Sequence, residues 1–77
     1  MSYTVKGYCA GVRVFEHEVS VEVLEERLRA WEKALKLGNL SIKFGSDQLQ
    51  VATELCIDVY DKTTGAYLPH LGAAFKK

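Results

Sequence analysis

Glu54, Cys56, Asp58 and Tyr60 stand at every second position of "ELCIDVYD". On a β-strand that spacing puts all four on one side, as a row of two carboxylates, a thiol and a phenol. Such a row is either the solvated side of a sheet or a contact surface for another molecule. The sparing of charge at Ala52, Cys56 and Tyr60 makes it less polar than a purely solvated face, and Glu16 and Glu18 are further acids that could join it.

Catalysis asks more of such residues. A general acid needs a carboxyl that burial has pushed up. Glu16 with Glu18, and Glu54 with Asp58, share strand parity, yet no pocket is announced around either pair. Cys9, His17, Cys56 and His70 include the residue types of a zinc site. They lack the close pairs, such as C-x₂-C or H-x₃-H, by which one turn delivers two ligands. No third residue orients a Cys–His nucleophile. Gly7 and Gly11 precede no GK[ST], so they do not form a phosphate loop. The expectation is a protein without catalytic activity, metal or cofactor. His17, flanked by Glu16 and Glu18, is expected to be an ordinary edge histidine.

These residues must be positioned by a short chain. Seventy-seven residues allow one domain and one core, residues 1–77, with no second lobe. A domain so small gains stability from association, so a homodimer is a reasonable expectation. Ten basic and ten acidic residues cancel, which removes the overall positive field of a phosphate-binding protein. Two cysteines far apart in sequence do not make a disulfide framework. The opening "MSYTVKGYCAGV" lacks the charged-then-apolar order of a signal peptide, and no apolar run approaches the roughly 20 residues that span a bilayer. These observations point to a soluble cytoplasmic protein.

The strongest element signal is "SVEVLEERLRAWEKALKLG", Ser20 to Gly38. Val21, Leu24, Leu28, Trp31 and Leu35 recur at spacings of three and four, an apolar stripe on a helix. Ser20 is placed as N-cap and Gly38 as the residue that closes the helix with positive φ. Glu25–Arg29 and Glu32–Lys36 are expected as pairs four apart. Before the helix, Tyr3, Val5, Val12 and Val14 alternate with polar neighbours. Ala10-Gly11 is a possible turn, giving either a hairpin or one bent strand. The apolar parity changes between Val14 and Phe15, which signals either a bulge or a face covered on both sides.

After the helix, "LSIKF" alternates, "GSD" turns, and Leu49, Val51, Thr53, Leu55, Ile57 and Val59 share one parity from Gln48 to Tyr60. The pattern predicts a strand over 48–60 with those residues facing the helix and Gln48, Gln50 and Ala52 facing away. A helix is the rival, since Leu49, Ala52, Cys56 and Val59 also fit a helical face, but Val51, Thr53, Ile57 and Val59 favour the strand. At roughly 40 Å it must bend or project beyond the sheet. "DKTTG" reads as a hairpin turn, "AYL" as a short return strand, and Leu71 and Phe75 as docking residues of a tail. The fold class is α+β: an antiparallel sheet of about four to five strands on one long helix, in the order β-β-α-β-β.

Function then falls to binding. The expectation is a module that inhibits, adapts or regulates a larger protein or nucleoprotein. Its proposed contact residues are Glu54, Asp58, Tyr60, Asp61 and Lys62. The competing reading is direct nucleic-acid binding by Arg29, Lys33 and Lys36 on the later turns of the helix, with Lys43 beyond. Their neighbours Glu25, Glu26 and Glu32 oppose it.

Overall fold

The computed structural model describes residues 1–43 and 49–77, with side chains left aside at 42 and 43. The expected "GSD" turn, and the positions of Phe44 and Gln48, lie outside the described residues. The chain forms β1 (Ser2–Cys9), β2 (Val12–Ser20), a 3-10 turn (Val21–Val23), α1 (Leu24–Lys36), β3 (Ser41–Lys43), β4 (Leu49–Val51), β5 (Glu54–Asp61), a second 3-10 turn (Pro69–Leu71) and β6 (Ala73–Lys76). A four-stranded antiparallel sheet runs β2-β1-β5-β6, and β3 and β4 make a separate two-stranded hairpin. The expected α+β architecture, a sheet on one helix, is the one observed.

The alternation of β1 and β5 fixes the core. Val5, Leu55 and Val59 are fully enclosed and Ile57 nearly so, with Val5 opposite Val59 in the central ladder. Directly opposed residues of an antiparallel pair share a face. That face carries α1, whose Leu24 and Leu35 are buried and whose Leu28 and Trp31 pack partly against the same core. Each buried leucine contributes about 1.5–3 kcal/mol, which is large beside the net stability of a small domain.

The two ends of α1 behave differently. At its C-terminus the amide of Gly38 donates to the Leu35 carbonyl and that of Asn39 to Ala34, with Gly38 at φ +74°. This is the Schellman arrangement, and it places Gly38 as expected. The N-cap expectation holds for position but not for bonding, since Ser20 caps the 3-10 turn that leads into α1. Ser20 makes no side-chain cap bond, and the α-helix starts only at Leu24, after a 3-10 turn. Ser20 is also the last residue of β2, paired with Ser2, so the sheet dictates its backbone.

Ala10 and Gly11 turn the chain between β1 and β2, both with positive φ. The ladder slips between Gly7 and Tyr8, so Val14 has no partner. Of the two readings of the parity change, this is the bulge.

The strand expected over 48–60 is broken at Ala52 and Thr53. Leu49 is 69% and Val51 49% exposed, whereas Ala52 is 3% exposed. Thr53 is exposed too. The Ala52 amide donates to the Leu40 carbonyl at 2.8 Å, tying this corner to the helix–β3 connection. The break shifts parity by one residue, so Ala52 turns inward and its expected neighbours turn out. The tail differs as well. Ala73–Lys76 is a strand on β5, while "AYL" does return antiparallel beside β5, as a Tyr60–Tyr67 bridge with the Asp61 amide donating to Ala66 and the Leu68 amide to Val59. Leu71 and Phe75 do pack against the core.

Candidate functional site: the outer face of the sheet

The ladder sets which side chains share the face opposite α1. From β5 come Glu54, Cys56, Asp58 and Tyr60, the row seen in the sequence. Thr4 lies opposite Tyr60, Lys6 opposite Asp58, and Tyr8 opposite Cys56. Glu16 and Glu18 of β2 stand across from Lys6 and Thr4. On the other side Lys76 is opposite Glu54, and Ala74 opposite Cys56. Neighbouring strands therefore supply a base across from Asp58, Glu54 and Glu16. The acids belong to a mosaic of both signs.

Toward one end of this face, at the last residue but one of β5, are aromatic rings. Tyr60 and Tyr67 meet with centroids 5.2 Å apart and planes tilted by 40°. The Lys6 ammonium lies 4.8 Å from the Tyr60 centroid, a cation–π distance. The Tyr67 hydroxyl donates to Asp58 Oδ1 at 3.2 Å, and this bond raises the phenol pKa by holding its proton. Lys6 also reaches Glu16 at 3.9 Å, and Arg13 meets the same carboxylate at 3.0 Å. Glu18 pairs with Lys62 and accepts from the Ser2 hydroxyl. Lys62 and then Ser2 hold its pKa below the usual carboxylate range.

Two of the expected contact residues have other work. Asp61 stands opposite Tyr3, on the helix side of the ladder. Its carboxylate accepts from the amides of Thr63 and Thr64 at 2.8 and 3.1 Å, so it builds the turn rather than extending the row. Lys62 is on the outer side only through its bond to Glu18. Lys6 and Tyr67 belong to the surface and were missed. The alternation of β1 places Lys6 on its polar side, but nothing local says which residue lies across from it.

The two cysteines occupy opposite faces. Cys56 is exposed in the row, whereas Cys9 is buried and donates from Sγ to the Glu54 carbonyl at 3.0 Å. Burial, then the nearby Glu54, pushes the Cys9 thiol pKa up, which leaves it a proton-bearing core residue.

On the helix, Arg29 pairs with Glu25 at 3.8 Å and Lys36 with Glu32 at 3.4 Å, as the spacing predicts. Two of the three cations proposed for nucleic acid therefore face a carboxylate one turn away; Lys33 is exposed.

Chemically, the outer face offers ring faces, hydroxyls and reciprocally placed charges, the means of recognition at a protein surface. No helix among the described residues is long and apolar enough to cross a membrane. Compared with known families, curated proteins and solved structures, the chain matches none.

Proposed function

We infer that this protein acts without catalysis, by docking the outer face of its sheet on a larger protein or nucleoprotein that it inhibits, adapts or regulates. One observation carries the reading. Among the described residues, the chain lays its helix on one side of the sheet and leaves the other side, which carries the Tyr60–Tyr67 pair, without a covering layer. Tyrosine supplies contact area at low entropic cost, and the alternating charges around it set register and exclude wrong partners. An exposed Cys56 thiol in that surface fits a reducing cytoplasmic setting.

The pairing of Arg29 and Lys36 with their own helix's acids argues against nucleic acid as the direct ligand. Capture from lysate of the native host tests the proposal. The double reversal Glu54→Lys, Asp58→Lys puts like charges opposite Lys76 and Lys6, and should abolish capture while the far-UV circular dichroism stays the same. Undiminished capture refutes the reading. Retention of DNA or RNA that weakens steeply with salt would replace it with the nucleic-acid alternative.

A further inference from the structure

The strand β2 is an outer strand of the sheet, nine residues long, with β1 as its only ladder partner among the described residues. The opposite outer strand, β6, has four residues. An edge presents a row of backbone donors and acceptors to which another extended chain can be added.

The side chains of β2 say what kind of chain fits. Toward the outer face stand Glu16 and Glu18. Toward the helix stand Phe15 and His17, opposite Gly7 and Val5. Phe15 and His17 stack at 5.2 Å, and Trp31 closes the cluster at 5.0 Å from Phe15 and 6.2 Å from His17. Beside them opens a cleft of about 400 Å³, lined by Val14, Phe15, His17, Trp31 and Leu40 together with the polar Arg13 and Ser41. An added strand would turn alternate side chains to the two carboxylates and to this aromatic cleft.

We propose that the β2 edge accepts an extended peptide segment of a partner protein, in which lysine or arginine alternates with aliphatic or aromatic residues. The basic residues meet Glu16 and Glu18, and an apolar one enters the cleft beside Trp31. The backbone edge and the cleft lie beyond the outer face described above, which shares Glu16 and Glu18 with them, and the peptide titration tests them separately.

The carboxylates already have partners, but those bonds are easily exchanged. The side chains of Glu16 and Glu18 are 47% and 56% exposed. Exposed ion pairs contribute little, and a carboxylate accepts more than one donor. The same charges and the Val14 bulge keep uncharged strands off the edge, so the device that blocks aggregation also selects the ligand. A second copy of this chain is a poor occupant. Antiparallel self-pairing centred on His17 sets Glu16 against Glu18, like charges directly opposed.

The test is a titration of the full chain with a capped heptapeptide alternating lysine with valine and phenylalanine. Trp31 fluorescence and backbone amide shifts report binding. The expected result is saturable binding with shifts concentrated in Val12–Ser20 and a change at Trp31. The same peptide with glutamate for lysine, or N-methylated on alternate amides, should bind at least tenfold more weakly. Glu16→Lys with Glu18→Lys, checked for unchanged circular dichroism, should cost at least tenfold. The Glu54→Lys, Asp58→Lys protein should bind the peptide as the unaltered protein does. Absence of binding overturns the proposal, as do equal binding of either control peptide, shifts centred on β5, and a peptide-free dimer formed through β2.

Discussion

Replacing Gly7 by alanine tests the packing that sets β2 against the helix. In an ordinary strand interior the exchange stabilises by about 0.5–1 kcal/mol, because glycine loses more backbone freedom on folding. Gly7 is different. A methyl there would come within 2.8 Å of Phe15 Cδ2 and nearer still to two other ring atoms. The ring has little room to yield, since Trp31 and His17 pack against it. Overfilling a packed site costs about 1–3 kcal/mol. Set against the backbone gain, the net loss is up to about 2.5 kcal/mol, or up to about 20 °C in Tm for a domain of this size. Trp31 is the only tryptophan and lies beside Phe15, so its fluorescence follows urea unfolding directly. The informative comparison is the same exchange made in a Phe15→Ala background. There the obstruction is gone and Gly7→Ala should be neutral or stabilising. A stabilising Gly7→Ala in the otherwise unaltered protein, or an equal cost in both backgrounds, refutes the argument.

Ala10 holds φ +51°, a region that costs a non-glycine residue about 1–2 kcal/mol. After glycine's own entropic cost, Ala10→Gly should stabilise by about 0.5–1 kcal/mol in chemical denaturation. In the native protein a thiol reagent should modify Cys56 quickly and Cys9 only after unfolding; equal rates would contradict the burial of Cys9. The folded Cys9 pKa lies above its ordinary value of 9.0, so the folded state keeps a proton that the unfolded chain gives up. Its contribution is therefore complete below about pH 9 and lost as pH rises through the folded value; Cys9→Ala should shallow the alkaline fall in Tm. Glu18 has the opposite sign. Its folded pKa is lowered, so its contribution is present above the ordinary carboxylate range and fades on acidification. Glu18→Gln and Lys62→Met should each flatten that acid limb slightly.

What the sequence made legible was whatever one element decides for itself. The stripe Leu24, Leu28, Trp31, Leu35 lies within one helix, and the alternation of Leu55, Ile57 and Val59 within one strand, so period alone assigned their faces. The row Glu54, Cys56, Asp58, Tyr60 was visible for the same reason. Its surroundings were not. That Lys6 faces Asp58 and Lys76 faces Glu54 depends on register between segments distant in sequence, which no local pattern encodes. The break at Ala52 was hidden because Leu49 and Val51 continue the apolar parity across it. A buried backbone bond to Leu40 outweighed that pattern. β6 was hidden because "AAFK" is short and follows Pro69 and Gly72, which read as stops. At Ser20 strand pairing overrode the cap bond but not the cap position.

The central claim is that partners meet the uncovered side of the sheet, and oxidative footprinting of the captured complex tests it most directly. Tyr8, Tyr60 and Tyr67 lie on that side, whereas Tyr3 and Trp31 lie on the helix side. Hydroxyl-radical oxidation, read peptide by peptide with and without the partner, should fall several-fold at Tyr60 and Tyr67 and stay unchanged at Tyr3. Full reactivity at Tyr60 and Tyr67 in the complex, with protection elsewhere, would contradict it.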